Sequence, residues 1–497
     1  MHVGIIGVTL QVRIAKDIYM IKRRTILKAG LALPLTPALL AGCGKANPIQ
    51  NTGFYEDGMY LSENFGPVDI ESTITDMKVS GKIPEDLTGR FLRNGPNPVS
   101  AVDPADYHWF TGDGMVHGLR LEEGRADWYR NRWVRSQHVV ESLGEQSGER
   151  TPQGGPNTHV IGHAGKTWAI VEAGTPPVEL SYELDTLGHS AAWGGYTAHP
   201  KLDPETGELH AMCYSFPDNE YNLKYIVMDQ DANVSKSIDI SMPGMVMVHD
   251  MSLTKNYVVI FDLPVTFSLM ALAQGAQLPF RWDNDHEPRI GLMPRDGGAD
   301  DIIWSPVSQN YAYHPMNAYE DAAGNVVVDI CRYDRMFDAD TNGPFGDSVA
   351  KLDRWTVNPT LRKVTEERVD DRGQEFPRCH PDLNSKEYQF GYTLSVEAKS
   401  FPSIIKHDMK SGQSTTFEFG PGRHGAEPNF IPRDSAQSED DGYLMTYVYD
   451  ENKNASELII VDALDLSRPA LAQIHLPVRV PYGFHGSWVP DDDVAAD

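Results

Sequence analysis

Cysteine is scarce: the 497 residues hold only four, Cys43, Cys213, Cys331 and Cys379. They are too few and too scattered for a disulfide framework or a Cys-x-x-Cys metal site. Positive charge is also in short supply, with 43 Lys and Arg against 70 Asp and Glu, a formal charge of -27 and a pI near 5.0. A polyanion would be repelled, so nucleic acid is excluded as a partner. No apolar run is long enough to span a bilayer; the run from Ala29 to Leu40 is too short. Disorder is excluded in turn, because 40% apolar residues over this length can bury a large core.

What stands at the N-terminus is an address. From Met20 the chain reads Met-Ile-Lys-Arg-Arg-Thr-Ile-Leu-Lys, then the short apolar run, then Ala41-Gly42-Cys43. A basic head, apolar middle and small-residue exit describe an export signal over residues 1–42, with residues 1–19 read as an upstream mis-start. Arg23-Arg24 resembles a twin-arginine signal, and Leu40-Ala41-Gly42-Cys43 resembles a lipobox, which implies cleavage before Cys43 and its acylation. The alternative is an ordinary secretory signal with a chance Arg-Arg. The expected product is an exported lipoprotein facing the periplasm or cell exterior, with its anchor in a membrane. With Cys43 modified, three cysteines remain, an odd set that fits free thiols. Residues 43–65 are polar and rich in Gly, Asn and Ser, as a lipidated tether without fixed structure would be.

From residue 66 to 497 the pattern is all-β. Short runs such as Trp168-Ala169-Ile170-Val171, Tyr257-Val258-Val259-Ile260-Phe261 and Leu458-Ile459-Ile460-Val461 recur between Gly, Pro, Asp and Asn clusters. Turn signals at Asp203-Pro204-Glu205-Thr206-Gly207 and Lys410-Ser411-Gly412 predict hairpins. No long helical periodicity and no clean repeat period is visible. One all-β unit of this size is a barrel with large insertions or a propeller, whose axis can hold a metal.

Seventeen histidines are present, so most must be structural or solvated. Four stand in or at the end of apolar or aromatic strand-like segments: His199 in Gly-Gly-Tyr-Thr-Ala-His-Pro, His249 in Met-Val-Met-Val-His-Asp, His314 in Tyr-Ala-Tyr-His-Pro-Met-Asn, and His485 in Pro-Tyr-Gly-Phe-His-Gly-Ser-Trp. A buried imidazole needs a partner for each ring nitrogen, and a shared metal would satisfy several at once. Core histidines bonded to backbone carbonyls would look the same at this level.

In this order, with spacings of roughly 50, 65 and 170 residues, the four segments resemble the metal-ligand motifs of the carotenoid cleavage oxygenases. The likeness extends to Phe91-Leu92-Arg93-Asn94-Gly95-Pro96-Asn97-Pro98, Trp109-Phe110-Thr111-Gly112-Asp113-Gly114, Trp128-Tyr129-Arg130-Asn131-Arg132, Asn157-Thr158 and Arg289-Ile290-Gly291, covering nearly the whole chain after the tether. The resemblance implies a seven-bladed β-propeller whose loops and short helices cap an axial Fe(II), with an apolar tunnel leading to it. It also implies that Glu172, Glu375 and Glu427 accept the second N–H of three ligands, fixing their tautomer and orientation. His117 and His163 lie inside family motifs without matching a ligand and are read as structural; His2, His189 and His424 are read as solvated.

The chemistry so implied is a non-haem Fe(II) dioxygenase that cleaves an alkene with O2 into two carbonyls, without organic cofactor or external reductant. Four imidazoles suit Fe(II) and leave two of six coordination positions open. Family members act on carotenoids, apocarotenoids or hydroxylated stilbenes. The stilbene branch resembles this chain around His199 and in Trp-Tyr-Arg-Asn-Arg, yet it places a lysine for the substrate phenol directly before the glutamate matched by Glu172. Here that position is Val171, which cannot bind a phenol, and the reading is therefore a carotenoid or apocarotenoid. Stilbene cleavage, and a non-catalytic exported propeller lipoprotein, are the alternatives. Residues 263–282 include Leu-Pro-Val-Thr-Phe-Ser-Leu-Met-Ala-Leu-Ala, either a membrane-facing patch at the tunnel mouth or a buried helix.

Overall fold

The computed structural model describes residues 60–494 apart from 174, 191–193 and 215–221. The expected signal at 1–42, Cys43 and His2 lie outside the described residues. Over the rest, the β-rich runs become strands in seven large antiparallel sheets, and a small hairpin pairs Val265–Phe267 with Phe280–Trp282. The sheets are the blades of a seven-bladed propeller. Both expected hairpins form: Lys201–Leu202 with Leu209–Cys213, and Ser403–Asp408 with Gln413–Glu418.

Two blades are sewn from both ends of the chain. Gly486–Pro490 pairs with Gly89–Pro96 in one, and Lys78–Gly81 pairs with Ala472–His475 in the other. These pairings tie both ends of the fold into the ring and bring the C-terminal segment to the axis. The inner strands of neighbouring blades touch around that axis: Met251–Leu253, Tyr311–Glu320, Gln374–Cys379, Asn429–Pro432, Gly486–Pro490 and His159–His163 follow one another.

Alternation along the strands places apolar side chains between blades, where Trp355, Tyr311, Phe91 and Ile83 are fully buried. Truncating one of the large aromatics to alanine is expected to cost about 3–5 kcal/mol. Helix is limited to short pieces. Gln137–Leu143 starts where Ser136 accepts from Val139 N and stops at Gly144, whose φ of 72° suits a residue without Cβ. Among the described residues no helix is long and apolar enough to cross a membrane.

Three expectations are corrected. Packed structure begins before residue 66: Tyr60 and Phe65, placed in the tether by composition, are buried against Trp109 and Phe345. Aromatic stacking outweighs the polar character of their neighbours. His189 and His424 are half-buried rather than solvated; His424 Nδ1 lies 2.9 Å from Ser400 Oγ because strand Arg423–Gly425 packs it there. Residues 263–282 are not a buried helix: in Leu269–Ala273 the side chains of Leu269 and Met270 are 68% and 72% exposed. The three described cysteines are free thiols.

Candidate metal centre

Each of the four singled-out histidines reaches the axis from a different inner strand. His199 immediately precedes the strand Lys201–Leu202, His249 precedes Met251–Leu253, His314 lies within Tyr311–Glu320, and His485 precedes Gly486–Pro490. The strand carrying His314 slips register on both sides of Pro315, a bulge that re-aims a side chain inward. All four rings are buried, and their ligand atoms lie within 4.8 Å of one another.

The hydrogen bonds around the rings decide what occupies the middle. His314 Nδ1 lies 2.7 Å from Glu375 Oε2, and His485 Nδ1 2.8 Å from Glu427 Oε1. His249 Nδ1 faces Glu172 Oε2 at 2.9 Å, off the line of a straight hydrogen bond. A carboxylate at Nδ1 keeps the proton there, so Nε2 of these three rings carries a lone pair. Yet His249 Nε2 is 2.9 Å from His199 Nε2 and 3.2 Å from His314 Nε2. One ring nitrogen offers a single in-plane direction and cannot hydrogen-bond both neighbours. A cation does satisfy them: with metal–nitrogen bonds of about 2.1 Å, adjacent ligand nitrogens stand roughly 3.0 Å apart.

Electrostatics agree. Burial holds His199, His314 and His485 well below the usual imidazole range, so they are neutral, ligand-ready bases at pH 7. His249 is buried as well, but Glu172 beside it lifts its pKa above the usual value. Burial pushes Glu375 up to about 8, a cost that a nearby cation would reverse. The donor set thus fits a divalent metal, with His199, His249, His314 and His485 as ligands.

The structure brings together the seven residues singled out in the sequence, along with supports that sequence reasoning missed. The Tyr333 hydroxyl donates to Glu375 Oε1 at 3.2 Å, Tyr214 bonds Glu172, and Arg378 reaches Glu427 Oε1 at 2.9 Å. Only Arg378 had a signal, its place in Glu-Phe-Pro-Arg. Phe376 in the same motif has φ of 54°, a left-handed conformation costly for an aromatic residue, and a register shift between Glu375 and Arg378 accompanies it. Its ring consequently stacks on His314 with centroids 5.8 Å apart. His117 and His163 are structural, bonded to Tyr129 Oη and Asp229 O.

Above the cluster opens a cavity holding about 990 Å³ of space, its mouth included. Trp109, Phe110, Leu278, Phe345, Phe376, Phe401 and Phe484 form much of its wall, with His249, His314 and His485 in the lining, Val171 beside Glu172, and no lysine or arginine among the described lining residues. Its apolar walls are those of a small-molecule site.

Comparison with known proteins fixes the family. The family model described as RPE65, retinal pigment epithelial membrane protein, matches residues 65–490. The chain belongs to the RPE65/carotenoid cleavage oxygenase family. It is 43% identical to the carotenoid cleavage oxygenase of Mycobacterium tuberculosis, over 87% of this chain and 97% of that one. Against the apocarotenoid-15,15'-oxygenase of Synechocystis the identity is 30%, over 82% and 92%. Among solved structures, the lignostilbene dioxygenase of Pseudomonas brassicacearum superposes with a TM-score of 0.79 at 27% identity, over 86% of this chain and 98% of that one. A cobalt-substituted Synechocystis ACO superposes with a TM-score of 0.77 at 27% identity, over 85% and 97%. The carotenoid cleavage oxygenase fold and the four-histidine group expected for it are therefore both present in one enzyme.

Proposed function

We propose that the protein is an Fe(II) dioxygenase that cleaves a double bond of a carotenoid or apocarotenoid with O2, giving two carbonyl products. The single observation carrying this is the convergence of four buried imidazoles, three of them facing glutamates at Nδ1, beside an apolar cavity. When bound, Fe(II) supplies the means of activating O2 toward an alkene. The chain's own residues do the rest. Phe376 and Phe484 wall the space beside His314 and His485 and exclude water, while Trp109, Phe345 and Phe401 extend an apolar surface along which a conjugated chain can lie. Glu172, Glu375 and Glu427 keep the Nδ1 protons in place, so that each Nε2 stays a ligand.

Hydroxylated stilbene is the second reading, supported by the likeness to the lignostilbene dioxygenase structure. Val171 and the absence of lysine and arginine among the described residues of the cavity wall favour a substrate without a phenolate. Incubating iron-loaded protein with O2 and a panel of carotenoids, apocarotenoids and stilbenes, with carbonyl products identified by mass, tests both. Aldehydes from the polyenes are expected, and turnover of stilbenes alone would reverse the assignment.

The same reading places the enzyme at a membrane. Exposed Leu269 and Met270 stand near the end of the segment that supplies Leu278 to the cavity wall, and Leu40-Ala41-Gly42-Cys43 precedes the fold as an acylation signal. A polyene could then enter from lipid into a protein exported as a lipoprotein. Leu269→Asp should weaken vesicle binding while leaving the unfolding midpoint unchanged; a large loss of stability would argue that this helix is a packing element instead.

A further inference from the structure

Four imidazoles are neutral ligands, so the charge of an ion between them must be met from outside. Among the described residues, four carboxylates and two cations stand against the ligands, and they are not equivalent. Beside His199, Lys201 Nζ lies 2.8 Å from Asp250 Oδ2, which in turn lies 3.8 Å from His199 Nδ1; this pair cancels itself. Beside His485, Arg378 approaches Glu427 Oε1 with Nε at 3.0 Å and Nη2 at 2.9 Å, the same oxygen that faces His485 Nδ1 at 2.8 Å. Arg378 Nη2 also reaches Gly486 O at 3.3 Å, and Glu427 Oε2 accepts from Gly486 N at 3.0 Å.

Glu172 and Glu375 are held differently. Their outer partners are phenols, Tyr214 and Tyr333, which burial keeps protonated and therefore uncharged. Guanidinium, by contrast, carries its charge at every accessible pH. Two carboxylates thus remain uncompensated among six charged groups, which is the charge that balances a divalent ion. A trivalent ion would leave a net positive charge in a buried place, and burying unpaired charge is costly.

We infer that Arg378 is a positioning residue that sets the charge of the centre: by cancelling Glu427 it matches the site to a divalent ion and opposes oxidation to the trivalent state. This rests on the Fe(II) reading above. It has a functional reason, because an enzyme whose reaction takes no external reductant has no built-in way to recover an ion lost to oxidation.

The test compares the full-length wild type with Arg378→Gln, Arg378→Lys, Glu427→Gln and the Arg378→Gln/Glu427→Gln double variant, each loaded with iron anaerobically. Metal per chain is measured first, then the trivalent fraction by EPR during a redox titration. Arg378→Gln should raise the preference for the trivalent ion on the order of tenfold, a midpoint lower by about 60 mV. Arg378→Lys should keep most of the wild-type value. Glu427→Gln should move the midpoint the opposite way, and the double variant, again balanced, should return near wild type even if Arg378→Gln alone folds poorly. A merely structural Arg378 would move both single variants in one direction or change metal content without changing the midpoint, and either result overturns the inference. A wild type that takes up no iron would instead refute the Fe(II) reading.

Discussion

His159 and His485 are neighbours with ring centroids 5.5 Å apart, both buried, yet they belong to two populations of buried histidine. Burial keeps His159 neutral with a single N–H: Nδ1 donates to Ala198 O at 2.9 Å, and Nε2 accepts from the Ser487 hydroxyl at 3.3 Å, so protein groups engage both nitrogens. His485 has a carboxylate at Nδ1, and the rings of His199 and His314 stand beside it with centroids 4.3 and 4.7 Å away. The blades contain more of the first kind: His117 on Tyr129, His163 on Asp229 O, and His407 against Thr393. Burial therefore does not make a ligand. A lone pair left without a donor, repeated on several rings aimed at one point, does.

The largest effect that could break this distinction is loss of a ligand. His314→Ala should abolish stoichiometric metal binding and turnover, a loss beyond the 10–100-fold typical of an outer partner; metal per chain and product formation measure it. Glu375→Gln should follow, weakening metal affinity by about 10–100-fold while leaving the ligand set intact, as read by competition with a chelator. His159→Ala, although it lies beside the cluster, should keep one metal per chain and lower stability by about 1–3 kcal/mol, because Ala198 O loses its donor and the Ser487 hydroxyl its acceptor. If His159→Ala loses metal as fully as His314→Ala, the two populations are one.

The sequence carried the ligands because their type, order and spacing match a family pattern, and their segments happen to be inner strands. Each of the three glutamates singled out in the sequence faces Nδ1 of one of these rings. The sequence did not carry His159, whose Asn-Thr-His setting looks as much like a ligand site as any other; only the direction of its nitrogens separates it, and direction is a tertiary property. Tyr214, Tyr333 and Lys201 were illegible for a related reason, since each acquires its role from a partner far away in the chain. All-β character was legible in the alternating apolar runs, but closure of the ring depends on pairing Gly486–Pro490 with Gly89–Pro96, a contact between chain ends that no local pattern announces. The start of packed structure was misplaced because composition outweighed the two aromatics, Tyr60 and Phe65.

The last test concerns acid, and it separates the populations by their dependence on metal. Away from the cluster, burial pushes His108 down to about 3 and His210 and His407 down to about 4. In the unfolded chain these rings take up protons near pH 6.5. Between pH 6.5 and about 4 the unfolded state therefore binds more protons than the native one, and stability falls as the pH drops through that window. Each ring contributes up to about 1.4 kcal/mol per pH unit. Urea midpoints measured at pH 7 and pH 5 should differ accordingly, and this part of the slope should be the same with and without chelator, because backbone and hydroxyl partners do not leave with the ion. The cluster should add a second, metal-linked component, since protons compete with the ion for Nε2. An acid response that vanishes entirely when metal is saturating would mean that the blade histidines are not held neutral by burial, and that the axial four alone set the pH dependence.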